Sequence, residues 1–176
     1  MNDPVVIGLD VGGSSVKCMV ADAASALDRP PVPIARERRP SPGERPVEDL
    51  IALVRDLAGG RPVAAVAVAI PGIVDSRAGA VIRSANLPAL SGVALGAALG
   101  AAFDVEVAIV NDGPAAAVAE AAWGAGKAVD TDDFFMLALG TGIAGAHVVG
   151  GEPVSGAHGA AGELGHTKVV DAGSAM

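Results

Sequence analysis

"LDVGGSSVKCMVAD", residues 9–22, runs apolar into Asp10, bends through Gly12, Gly13, Ser14 and Ser15, and becomes apolar again at Val16. Apolar, β-branched runs over residues 5–11 and 16–21, joined by so few small residues, predict two strands in a hairpin. A carboxylate at the end of an otherwise apolar strand is costly unless it is solvated, caps the next turn or meets a cation. Mg²⁺ suits the last case, because it keeps its waters and accepts one or two carboxylates beside a substrate's phosphates. The absent side chains at Gly12 and Gly13 let backbone N–H groups approach an anion, as in glycine-rich nests. An ordinary hairpin turn is the alternative. Lys17, on the outgoing strand, either approaches a phosphate or is simply solvated.

Working outward, a third short strand is expected over residues 32–35. "PVEDLIALVRDLAGG" from Pro46 predicts a helix, with apolar residues at helical spacing, an acidic first turn and glycines past its end. "VAAVAVAI" from Val63 is continuously apolar up to Pro71-Gly72, and predicts a central strand buried on both faces. A hairpin across "IVDSRAGAVI", a helix near residues 93–102, the strand "VEVAIV" and a helix from Pro114 complete the first half. Asp112 follows that strand. Ligands in open α/β sheets collect outside the carboxyl ends of strands, but Asp or Asn just before a helix is equally a favoured cap.

After "KAVDTDD" the opening pattern returns: the apolar run "FFMLAL", a small-residue turn at Gly140, Thr141 and Gly142, and a strand-like run to Val149. "GTGIAG" matches the dinucleotide fingerprint literally, yet Gly150-Gly151 cuts the pattern too soon for the helix that fingerprint requires. No G-x-x-x-x-G-K-[ST] occurs. Two strand, Gly-turn, strand units around a βαβα stretch therefore predict two related lobes with paired phosphate-handling turns. The boundary is placed at residue 124, giving lobes 1–124 and 125–176. "HGAAGELGH" surrounds Glu163 and His166 with glycines, as either a polar loop or a contact for sugar hydroxyls.

Composition narrows the function classes. The 176 residues are enough to bury roughly 70% of the unfolded surface. Twelve Lys+Arg against twenty Asp+Glu leave a net charge of -8, so no broad basic field draws nucleic acid or an anionic membrane. Aromatic content of 2% argues against a base-stacking platform. The lone Cys18 fits a reducing cytosol. "MNDPVV" carries acid where a secretory signal carries Lys or Arg, and no apolar stretch reaches the ~20 residues of a membrane span.

Taken together these stretches resemble the ROK family of sugar kinases, repressors and uncharacterised proteins. "LDVGGSSVK" resembles its first phosphate loop, "IPGIVD" and "SANLP" its substrate-side loops, and "VNDGPAAAVAE" its catalytic segment. "LGTGIAGA" resembles its second phosphate loop and "GAAGELGH" the start of its signature. The resemblance implies an α/β, actin-like ATPase (RNase H-like) fold, with a complete N-terminal lobe and the start of a second. It implies an ATP- and Mg²⁺-dependent, glucokinase-like hexose kinase, with Asp112 as general base and Asp10 organising Mg²⁺. Gly12, Gly13, Ser14, Lys17, Gly140, Thr141 and Gly142 would serve the phosphates, and Asn86, Asn111, Glu163 and His166 the sugar.

His166 also matches the family's histidine zinc ligand. The family's C-x-C-G-x-x-G-C segment is not among these residues, so zinc is expected only with that motif restored. The chain alone is expected to be weakly active or inactive. Where the family usually has N-D-A-N this chain reads "NDGP", and Ala144 replaces a common glycine. Two alternatives remain at this point: a non-catalytic ROK-type sugar sensor or transcriptional regulator fragment, and a polyphosphate-dependent glucokinase. The hexose and the oligomeric state, a homodimer included, are not legible.

Overall fold

A computed structural model describes residues 3–25, 30–139, 143–157, 161–162 and 164–166, the side chains of Ser25 and His166 excepted. β1 (Val5–Val11) and β2 (Ser15–Asp22) form the expected antiparallel hairpin, with Val11 opposite Val16 and Asp10 opposite Lys17. β3 (Pro33–Pro40) pairs antiparallel with β2. It runs beyond the four residues expected because Arg36, Glu37, Arg38 and Arg39, unremarkable as strand formers, lie along a sheet edge where charge is favourable. Arg39 donates to Glu37 and to Asp56 of the following helix, and both carboxylates hold its guanidinium pKa up, the Glu37 hydrogen bond foremost.

α1 (Pro46–Ala58) begins with Pro in its first turn and ends at Gly59. β4 (Val63–Ile70) runs parallel to β1, and the short hairpin β5 (Ile73–Asp75) and β6 (Ala80–Arg83) follows. α2 (Leu95–Phe103) leads to β7 (Glu106–Asn111), parallel to β4. The sheet order β3-β2-β1-β4-β7 puts the parallel pairs where crossover helices α1 and α2 return the chain. α3 (Asp112–Trp123) and α4 (Ala125–Ala128) precede a second sheet, order β10-β9-β8, made of β8 (Phe134–Leu139), β9 (Ile143–Val149) and β10 (Glu152–Pro153).

One face of the larger sheet is the core. Ile7, Leu9, Val16, Val20, Val68 and Ile70 pack there against Leu50 and Val54 of α1 and Leu95 and Leu99 of α2. Full burial of each such side chain contributes about 1.5–3 kcal/mol. Cys18 shares this face, and burial pushes its thiol pKa up. The expectation that β4 is buried on both faces is corrected. Val66, Val68 and Ile70 are buried, whereas Ala67 is exposed and Ala65 and Ala69 are half-buried. The Val/Ala alternation already encodes this: an alanine contributes little burial and sits as well on an open face as in a core. That open face, floored by Gly8, Met19 and Ala67, forms a groove of about 770 Å³. In the smaller sheet, Ala146 and Val148 of β9 pack on Ala117 of α3. Among the described residues no helix is long and apolar enough to cross a membrane.

Candidate active site

At the carboxyl ends of β1, β4 and β7 opens a cleft of about 980 Å³. Asp10, Gly12, Gly13, Ser14 and Lys17 line it from the first hairpin, Asn86 from the loop after β6, and Asn111 and Asp112 from the β7–α3 junction. Leu139 and Ile143, on either side of positions 140–142, line the same cleft, as does Gly162, the neighbour of Glu163. Gly140, Thr141, Gly142 and Glu163, and the side chain of His166, lie outside the described residues. The backbone of His166 closes a 3₁₀ turn, Leu164–His166. Eight residues singled out in sequence therefore meet around one space.

Local structure explains each placement. Facing each other across the β1–β2 ladder, Lys17 Nζ and Asp10 Oδ2 come within 2.7 Å. Their side chains are 64% and 43% exposed, so the pair is worth under about 1 kcal/mol and a ligand can separate it cheaply. Asn111 is the cap of α3: its Oδ1 accepts the Gly113 N–H at 2.9 Å. Its Nδ2 donates to the Gly72 carbonyl at 2.6 Å. These two bonds fix which end of the amide is which, and leave one N–H and one lone pair for a ligand. Asp112 is the first helical residue rather than the cap, and its Oδ1 shares the Gly113 N–H at 3.0 Å. The capping task falls to Asn111, and the second oxygen of Asp112, a residue that lines the cleft, has no hydrogen-bond partner among the described residues.

Some contributors escaped the sequence reading. Ser84 is buried, donates its hydroxyl to the Pro71 carbonyl at 2.6 Å and accepts the Leu87 N–H at 3.1 Å. It thereby ties the loop carrying Asn86 to the Pro71-Gly72 bend. Nothing in the local sequence marks this serine, because its partners are distant carbonyls and amides. Asn86 in turn sits over Gly13, whose Cβ, if present, would lie 3.5 Å from the Asn86 Cβ.

Gly113 is a close-approach position, where a Cβ would come within 2.7 Å of the Gly145 carbonyl oxygen of β9. Restoring the more usual alanine, Gly113→Ala, is therefore expected to lower stability by about 1–3 kcal/mol through forced separation of α3 and β9. Urea denaturation checks this; an unchanged midpoint would show that β9 yields without cost. No three His, Cys, Asp or Glu side chains among the described residues cluster closely enough to hold a metal by themselves.

A mixed five-stranded sheet that turns both a glycine hairpin and a strand-end carboxylate toward a second hairpin sheet has the fold of the actin-like ATPase sugar kinases. The chain belongs to the ROK family, whose sequence profile matches residues 6–175. It is 33% identical over 167 residues to the N-acetyl-D-glucosamine kinase of Pectobacterium atrosepticum, covering 92% of this chain and 52% of that protein. It is 30% identical to the kanosamine kinase of Amycolatopsis mediterranei, covering 96% and 54%. Among solved structures it matches a ROK family glucokinase from Streptomyces griseus in complex with glucose and AMPPNP, with TM-score 0.78, 28% identity and coverage of 94% and 51%. The chain thus spans about half the length of the relatives it matches.

Proposed function

We propose that this chain provides the first phosphate loop and the general base of a sugar kinase that transfers the γ-phosphoryl group of ATP to a glucose-like hexose hydroxyl. The carrying observation is the shared cleft: Asp112 and the Gly12–Ser14 bend line the same space. In this reading Asp112 accepts the proton of the attacking hydroxyl. The sugar oxygen bonds to the γ-phosphorus, the bond to the β,γ-bridging oxygen breaks, and ADP leaves. Backbone N–H groups of the glycine bend and the Lys17 ammonium offset charge on the phosphates. Asn86 and Asn111 orient the sugar, with Glu163, His166, Gly140, Thr141 and Gly142 completing sugar and phosphate contacts.

Asp10 suits a hydrated divalent cation: it is a single half-buried carboxylate, open to the cleft, that already attracts the Lys17 ammonium. Mg²⁺ bound there would supply positive charge beside the β- and γ-oxygens. The relatives' names cover glucose and amino sugars, and a glucose-like ring is the feature they share.

Transfer of labelled phosphate from ATP to a panel of hexoses, by this chain joined to the remaining half of a ROK sugar kinase, tests the reading. Labelled sugar phosphate from glucose or a 2- or 3-amino analogue is expected, and the same assay with inorganic polyphosphate compares the two donors. ATP hydrolysis without any labelled sugar would overturn the assignment.

A further inference from the structure

We propose that Ser41, which does not line the cleft, is a positioning residue for the first phosphate loop. The inference rests on the kinase reading above. The Ser41 hydroxyl donates a hydrogen bond to the carbonyl oxygen of Gly12. No cis peptide bond occurs among the described residues, so the Gly12–Gly13 unit is trans, and its C=O and N–H point in opposite directions. Holding the Gly12 carbonyl against Ser41 therefore turns the Gly13 N–H away from Ser41, on a residue that lines the cleft.

Without this bond the orientation would be poorly determined. A peptide between two glycines flips at little steric cost, because neither residue has a Cβ to disfavour the alternative φ/ψ. The Gly12 N–H cannot serve a ligand, since it donates to the Ser15 carbonyl at 2.9 Å. The Gly13 N–H has no acceptor among the described residues. It is a donor the loop can offer a ligand, and the Ser41 bond selects the peptide orientation that presents it.

Ser41 is itself well anchored. The preceding Pro40 is in register with Ser15 at the end of the β2–β3 ladder. On the other side, Pro42 restricts the backbone and the Gly43 N–H donates to Asp49 Oδ2 of α1 at 2.7 Å. The sheet edge and the first crossover helix thus brace one hydroxyl against the bend.

The test is a titration of the ¹⁵N-labelled 176-residue chain with tripolyphosphate and with ADP, following the Gly13 amide cross-peak. A saturable shift is expected in the wild type. Ser41→Ala should weaken the apparent affinity about five- to tenfold, the range of one hydrogen bond, with an unchanged glucose titration. Ser41→Thr, which keeps the hydroxyl, should return within about twofold of wild type. Ser41→Val against Ser41→Thr repeats the comparison at nearly constant volume, should the alanine variant fold poorly. Equal affinity in Ser41→Val and Ser41→Thr would overturn the positioning role. A wild-type Gly13 cross-peak unmoved by either anion would instead overturn the phosphate-loop reading, and the role of Ser41 with it.

Discussion

Asp112→Asn, in the chain joined to the remaining half of a ROK sugar kinase, is expected to reduce labelled-phosphate transfer to sugar by about 10²- to 10⁴-fold, the contribution of a positioned general base, while leaving the fold intact. The amide keeps an oxygen able to accept the Gly113 N–H that Asp112 Oδ1 accepts at 3.0 Å. Helix α3 also retains its cap, because Asn111 supplies it. A thermal midpoint close to wild type with transfer lost is therefore the expected pair of results. Transfer within about threefold of wild type would mean that another group takes the proton, and the cleft's chemistry would have to be reassigned.

Gly72→Ala should have the opposite signature, a large loss of stability from a residue with no side chain of its own. Gly72 has φ +126°, a backbone region that side chains rarely adopt. An added Cβ would also lie 2.9 Å from Ser84 Cα and overlap the Arg83 carbonyl. Backbone strain of about 1–3 kcal/mol and overpacking of similar size sum to roughly 2–6 kcal/mol. The damage should reach the site, because the Gly72 carbonyl accepts Asn111 Nδ2 at 2.6 Å and the Pro71 carbonyl accepts the Ser84 hydroxyl at 2.6 Å. Urea denaturation is the measurement, and a loss below about 1 kcal/mol would show that the bend relaxes and the tight-packing account is wrong.

Both variants probe the same junction, and they separate chemistry from architecture. Asp112 is proposed to act on the sugar hydroxyl. Asn111, Gly72, Ser84 and Pro71 form a relay of hydrogen bonds that holds the β7–α3 corner against the loop after β6. Gly113 sets how closely that corner meets β9. The "NDGP" departure from the family pattern thus reads as a packing change beside the proposed base, with its carboxylate retained.

How far local sequence reaches is visible residue by residue. The β1–β2 hairpin was legible because Asp10 and the glycines interrupt two β-branched runs, and strands of alternating burial need that pattern. Helix α1 was legible from its apolar spacing and terminal signals. β3 extends past what its sequence signals because charged residues have weak strand preference until an edge position favours them. The run VAAVAVAI suggests two buried faces for β4 because alanine is as apolar as a core residue yet, being small, sits equally well on an open face. At the site, Asp10, the glycine bend and Asp112 stood out as polar or small residues punctuating apolar strands. Ser41 and Ser84 did not, because their importance lies in which distant carbonyl each reaches.

Periodicity and turn chemistry, both local properties, determined the succession of strands and helices and the identity of the polar residues at strand ends. Only the folded chain decided that Asn111 rather than Asp112 caps α3, that one face of β4 stays open, and that Gly13 comes to lie against Asn86. The physical reason is range. A hydrophobic period is written within a few residues, whereas a hydrogen bond between residues 41 and 12, or 111 and 72, exists only once the sheet has brought their backbones together.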